Sequence, residues 1–436
     1  MIVLFLTALQ HDRRAIPDWR TICKEVKMCK SHYILMVLLI SLCVSISVIP
    51  GQVYAQLFSA PVSYPAGGNP HHVYAKDLNG DGHNDLVVCG YEADLISILI
   101  NNGDGTFSPA ATYPAGENPS IAIAEDLDDD GDFDLAIPND YTNYISIIIN
   151  DGSGAFNIRH TYPAGSYPYY LSVANLDGDQ DKDIAVANEE SDFVSVLLNN
   201  GDGTFALAVG YQTGANLMST FAGDFDGDGD NDLATSNMGS QTVSILLNNG
   251  DGTFVKKDDY SIGAGYFRVY GGNFDGDGDI DLAVTNDVVD SVYVLLNDGA
   301  ASFTIAHQYP TGDRPFFLYC GDLNCDSYDD IATANMSTNT VSIFLSNGDG
   351  SFQVPENYVV CNAPHSVYAE DIDGDGDKDL LVADYLGNKV WILFNLSNCS
   401  AIPTLTEWGL IIFGVVLLGF ITWVFLRRSK AVVSVQ

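Results

Sequence analysis

Basic residues are scarce in this chain. Lys and Arg total 18 of 436 residues against 57 Asp and Glu, a formal charge of −39. A surface of that sign repels polyanions, so nucleic acid is not an expected partner. Nucleophile motifs are missing too: no Ser, Cys or Lys stands in a recognisable catalytic setting, and a non-enzyme is expected. Cysteine is sparse, with Cys89, Cys320, Cys325, Cys361 and Cys399 the only ones beyond the N-terminal 55 residues. In an oxidising compartment a Cys320–Cys325 bridge and a Cys361–Cys399 bridge are the candidate pairings, with Cys89 left over. Charged residues are only 17% of the chain against 47% hydrophobic ones, a globular balance rather than a disordered one.

Long apolar runs are confined to the two ends. Tyr33 to Val48 follows Lys24, Lys27 and Lys30 and precedes the small-residue end Val53-Tyr54-Ala55, the layout of a secretory signal cleaved after Ala55. Residues 1–55 are therefore read as a signal region, with Met28 as an alternative start. Leu410 to Leu426 carries no charge over 17 residues and stops at Arg427 and Arg428, which is just long enough for a transmembrane helix with residues 431–436 on the cytoplasmic side. Just upstream stands Ile402-Pro403-Thr404-Leu405-Thr406-Glu407-Trp408-Gly409. This segment, within residues 401–430, resembles the IPTL-CTERM sorting signal. The resemblance implies a Gram-negative bacterium, an exosortase-type processing protease as partner, and delivery to the cell surface.

Between the ends, residues 56–400 repeat. An acidic loop of the form DxDxDGxxD begins at Asp77, Asp126, Asn175, Asp224, Asn273, Asp322 and Asp371, a constant step of 49 residues. Tyr recurs at 64, 113, 162, 211, 260, 309 and 358, and Phe at 58, 107, 156, 205, 254, 303 and 352, with the same step. Each copy holds four short apolar segments separated by Asp, Asn and Gly turns, which predicts four strands. Four strands in about 40 to 50 residues describe a propeller blade. The fold class is thus all-β, a seven-bladed β-propeller. The eighth Phe position falls at Ala401, so the last copy lacks its fourth strand, and Phe58 to Tyr64 is expected to supply it and close the ring.

The loops carry the most specified chemistry. Side chains at loop positions 1, 3, 5 and 9, the carbonyl at position 7 and a turn glycine at position 6 make an oxygen-rich nest of the kind that selects Ca²⁺. The predicted metal ligands are Asp77, Asn79, Asp81 and Asp85; Asp126, Asp128, Asp130 and Asp134; Asn175, Asp177, Asp179 and Asp183; Asp224, Asp226, Asp228 and Asp232; Asn273, Asp275, Asp277 and Asp281; Asp322, Asn324, Asp326 and Asp330; and Asp371, Asp373, Asp375 and Asp379. An EF-hand is excluded, because Val88 and Ile137 stand where its twelfth-position Glu belongs and both flanks read as strand. The chain here resembles the FG-GAP or VCBS-like repeats, the calcium-loop propellers that include the integrin α head. Copies two, four and seven are complete; copy three is weakest, with Asn175 at its start and Gln180 at the turn glycine, and copy six carries Asn324 and Ser327. Up to seven structural calcium ions are expected.

If the loops join strands one and two of each blade, the YPAG connections lie on the opposite face. That face carries Tyr91, Tyr141, Tyr144, Tyr167 and Tyr385, and a channel-mouth series His71, Tyr169, Phe267, Phe316 and His365. These rings either stack a ligand or pack the strand ends. The expected function is a secreted, cell-surface, non-catalytic adhesion or ligand-binding module for a surface glycan or protein. A carbohydrate-binding lectin and a calcium-dependent polysaccharide-active enzyme are the alternatives.

Overall fold

The first complete copy shows why the repeat forms a blade. Pro70–Lys76, Asp85–Gly90, Leu95–Leu99 and Ala111–Pro114 pair antiparallel in that order. Asp85–Gly90 is buried at every residue, and so are the second strands of all the other blades, Asp134–Pro138 to Asp379–Asp384. A strand covered on both faces needs a continuous apolar run, which is why this segment reads LVV, LAI or IAV rather than alternating.

The computed structural model describes residues 56–397. It holds seven four-stranded sheets, and the first strands of successive blades contact one another around the axis. The expected signal region, the sorting segment and the apolar span at Leu410 to Leu426 lie outside the described residues; among the described residues no helix is long and apolar enough to cross a membrane.

Closure follows the expected route. Val62–Pro65 pairs with Lys389–Leu393, Val62 facing Ile392 and Pro65 facing Lys389, and Phe58 bridges Asn395. The Tyr and Phe series explain themselves here. Each Tyr meets the Phe 43 residues ahead edge to face, from Tyr64 and Phe107 at 5.2 Å through Tyr309 and Phe352 at 5.7 Å. The last pair, Tyr358 and Phe58 at 5.6 Å, ties the two ends of the ring with the same contact. Such pairs contribute about 0.5–1.5 kcal/mol each beyond their buried area.

The cysteines depart from expectation. Cys320 and Cys361 are free and buried, as is Cys89, whereas Cys325 is disulfide-bonded. Neither the Cys320–Cys325 nor the Cys361–Cys399 bridge therefore forms. Cys320 belongs to the innermost strand Pro315–Gly321 and packs in a core with Phe274 and Phe344, while Cys325 stands out in the acidic loop beside Ser397, whose Oγ is 3.7 Å from its Sγ.

Candidate calcium centres

In each blade the acidic loop is the turn between the first and second strands. Position 6 takes a positive φ throughout: 88° at Gly82, 97° at Gly278, and also 88° at Gln180 and 74° at Ser327. Only glycine adopts that conformation without strain. The first carboxylate winds the loop around itself. Asp77 Oδ1 accepts the N–H groups of Gly80 and Asp81, and its Oδ2 accepts that of Gly82 at 2.8 Å. The position-1 to position-6 bond recurs at Asp126, Asp224, Asp322 and Asp371. Asn175 and Asn273 have no second carboxylate oxygen, and hold Gly178 and Gly276 through the carboxamide.

Positions 1, 3 and 9 converge. Asp126, Asp128 and Asp134 each present an oxygen within 4.8 Å of the others, as do Asp224, Asp226 and Asp232, and Asp371, Asp373 and Asp379. These are the three copies whose sequence is complete; in the others Asn79, Asn175, Asn273 or Asn324 replaces one carboxylate with a carboxamide. Position 5 stands outside these groups. Asp130, Asp228 and Asp375 each accept the N–H of position 7, at 3.0, 3.0 and 3.2 Å, as Asp81, Asp179, Asp277 and Asp326 do in their loops.

The residues fit a divalent cation on grounds beyond their charge. Asp126 Oδ1 and Asp128 Oδ1 are buried and accept no hydrogen bond, a costly state for a carboxylate unless a cation completes it. Burial and the adjacent Asp130 push Asp128 above the usual carboxylate range, and burial and Asp375 do the same to Asp373. Hard oxygen donors in a flexible loop suit calcium.

Position 9 has a second job that the ligand pattern concealed. Asp85, Asp134, Asp183, Asp232, Asp281, Asp330 and Asp379 are at most 1% exposed, and burial pushes Asp85 up to about 6 and Asp134 up to about 7. Both oxygens are engaged. Asp134 Oδ2 accepts Leu127 N–H within the loop and its Oδ1 accepts Asn150 N–H at 2.8 Å. Asn150 Nδ2 then donates to the carbonyl of Leu78, in the preceding blade, at 2.8 Å. The same relay runs through Asn101, Asn199, Asn248, Asn297 and Asn395, with the Ser346 hydroxyl substituting in blade six. A periodic Asn, 16 residues after the position-9 Asp in six of the seven copies, was the available signal in the sequence.

The opposite face is built differently. In five blades the innermost strand carries a bulge: Pro70 pairs with Gly90 and His72 with Cys89, so His71 is skipped, and Tyr169, Met218, Phe316 and His365 are skipped alike. Bulges re-aim side chains, and rings from separate blades meet at the axis. His71 lies 3.8 Å from His365 and 5.8 Å from Tyr169, and Phe316 lies 4.1 Å from His365. Tyr91 stacks on His71 and Tyr385 on His365, and the Tyr91 hydroxyl donates to Asp140. Tyr141 is 61% exposed with Tyr167 against it; Tyr144 is half-buried at the start of its strand. Phe267 does not join the mouth. It is fully buried in the core between blades four and five, and Arg268, which sequence reasoning passed over, takes its place with its guanidinium 4.8 Å from the Tyr169 ring and 5.3 Å from that of Phe316.

Seven four-stranded blades with an acidic loop at one end of each define a seven-bladed, acidic-loop β-propeller. FG-GAP-like repeats match residues 77–137, 126–186, 175–235, 224–272, 273–333 and 322–382, and the chain belongs to that family. Residues 400–428 match the IPTL-CTERM motif, a sorting signal processed by exosortase.

Among solved structures, BBS1N in complex with ARL6DN, soaked with lead, is 12% identical with a TM-score of 0.58, over 78% of this chain and 97% of that one. A catalytically inactive virginiamycin B lyase from Staphylococcus aureus with quinupristin is 14% identical with a TM-score of 0.53, over 77% and 99%. A lectin from Agrocybe aegerita that recognises non-reducing terminal N-acetylglucosamine is 19% identical with a TM-score of 0.48, over 69% and 80%. At such identities the first two show the propeller fold alone, and the third supports no argument. Comparison with curated proteins found no match.

Proposed function

We propose that this protein is an exported propeller, held at the cell surface through its sorting signal, that binds calcium structurally and acts as a non-catalytic ligand-binding module. The observation that carries this reading is the division of labour between faces. The acidic loops repeat one geometry around the ring and tie each blade to the preceding one, so calcium there reinforces the scaffold. The opposite face departs from the repeat and gathers a set of rings that occurs once. In the loops the side chains at positions 1, 3 and 9 would hold the ion, which supplies charge neutralisation and cross-links the turn.

Burial pushes His365 down to about 3 and His71 well below its ordinary value, so both rings stand at the mouth as neutral hydrogen-bonding groups. A panel of polysaccharides and surface glycans, incubated with the calcium-loaded protein, tests the reading. Retention of a ligand without chain cleavage is expected. Release of shortened or unsaturated products would overturn it in favour of the enzyme.

A further inference from the structure

Arg268 is a buried cation in a strongly acidic chain. It is 4% exposed, and neither ion pair among the described residues, Lys256–Asp259 or Arg314–Asp287, includes it. Its Nη1 donates to the Met218 carbonyl at 2.7 Å, while its Nε is buried without an acceptor. The Tyr169 hydroxyl interacts with the guanidinium as well, and the Tyr169, Tyr170 and Phe316 rings lie 4.8, 5.7 and 5.3 Å from its carbon. The carboxylates nearby are otherwise committed or apart. Asp140 accepts from the Tyr91 hydroxyl and the Tyr141 N–H, and Glu189 feels Arg268 electrostatically without pairing with it. Burying a guanidinium without a counter-charge is costly, and the fold retains it in blade five, where the inner strand lacks the bulge found in five other blades.

Beside it stands an acceptor. His71 donates from Nδ1 to the Ser120 carbonyl at 2.7 Å, and His365 from Nδ1 to the His71 carbonyl at 3.0 Å. Both rings therefore carry the proton on Nδ1 and offer Nε2 as a lone pair. His71 Nε2 is 3.4 Å from the Tyr169 hydroxyl, and His365 Nε2 has no partner among the described residues. Tyr385 stacks on His365 at 5.3 Å and is half-buried, leaving part of its surface at the mouth.

We infer that the channel mouth is a binding site for a carboxylate-bearing sugar, a uronate residue at the end of a glycan. The forked guanidinium of Arg268 matches a planar carboxylate, His365 Nε2 accepts a sugar hydroxyl, and the Phe316 and Tyr385 rings receive the apolar face of the pyranose. This rests on the reading of the outer face as the binding face and names its ligand class.

A matched pair of probes tests it on the full calcium-loaded protein: cellobiouronate, and cellobiose, which lacks only the carboxylate. Calorimetric titration is expected to show cellobiouronate binding at least about tenfold tighter. Arg268→Met should abolish that preference, Arg268→Lys should retain part of it, and His365→Phe, which keeps the packing and removes the acceptor, should weaken both sugars about three- to tenfold. Melting curves without sugar accompany each variant. A lowered melt with an unchanged preference would assign Arg268 to scaffolding and overturn the site, as would equal binding of the two sugars or no binding of cellobiouronate. Retention of other ligands by the glycan panel, with no preference for carboxylate, leaves the binding-module reading standing and sinks this one.

Discussion

Position 9 of the acidic loop is aspartate in every blade, from Asp85 to Asp379, whereas the channel-mouth position reads His71, Ser120, Tyr169, Met218, Phe267, Phe316 and His365. The contrast has a geometric cause. A strut between neighbouring blades meets the same surroundings wherever it occurs, so one solution serves every interface. Side chains at the mouth converge on a single axis, and seven identical large rings cannot share it. Uniformity is available at the periphery of the loops and forbidden at the axis, so the mouth is where the ring acquires chemistry that occurs once.

The largest test of this contrast is calcium removal. Chelation strikes all the loops together; at free calcium 10 to 100 times the dissociation constant each filled site adds about 1.4–2.7 kcal/mol. The melting temperature should fall by more than about 10 °C, and a melt that ignores chelation would deny the loops their structural part. Next comes the strut. Asn150→Ala strands the Leu78 and Phe133 carbonyls and the Gly152 N–H, a loss of about 2–3 kcal/mol and several degrees in scanning calorimetry with calcium present. The partnered control on the other face, Tyr141→Ala at an exposed ring, should stay within about 0.5 kcal/mol of the parent; equal losses at the two sites would erase the distinction.

Smaller still is repair of the third loop. Gln180→Gly removes a side chain from a φ of 88° and should raise stability by about 1 kcal/mol, with tighter calcium binding measured by titration.

The last test is a pH slope. His72 is buried, its Nδ1 has no partner, and burial pushes it down to about 3. The unfolded chain takes up a proton near 6.5 and the folded one only near 3, so the unfolded state binds more protons between those values. Stability is then full above about 6.5 and is lost as pH falls below it, by at most about 1.4 kcal/mol per unit for one histidine. Replacing it with the residue found one repeat later, His72→Ile, should flatten the fall in melting temperature between pH 7 and 5; an unchanged slope would show that another group carries it.

Much of this was readable beforehand because the physics is periodic. A step of 49 residues with four apolar segments leaves little besides a propeller blade, and the missing fourth strand of the last copy pointed to the N-terminal segment, although the paired strand begins at Val62 rather than Phe58. Contacts between copies were harder. Asn150 looked like turn punctuation, because nothing in a linear reading reveals that its side chain reaches Leu78, 72 residues earlier. Arg268 was hidden by a local shift: blade five opens its inner strand only at Val269, which turns Phe267 into the core and frees its neighbour for the axis. The cysteine pairings failed because nearness in sequence, five residues for Cys320 and Cys325, says nothing of a strand side chain facing inward and a loop side chain facing out.

The seam between Val62–Pro65 and Lys389–Leu393 gives the protein a gauge of its own length. Val62 and Ile392 are 392 − 62 = 330 residues apart, so the strand synthesised first waits for the one synthesised last. A chain stopped a few dozen residues short offers that early strand no mate and leaves an open β edge beside it, the kind of edge that recruits other chains. Six finished blades are then worth little without the seventh. Closure waits for the seventh blade, and truncated copies should betray themselves by sticking together rather than by folding into smaller rings.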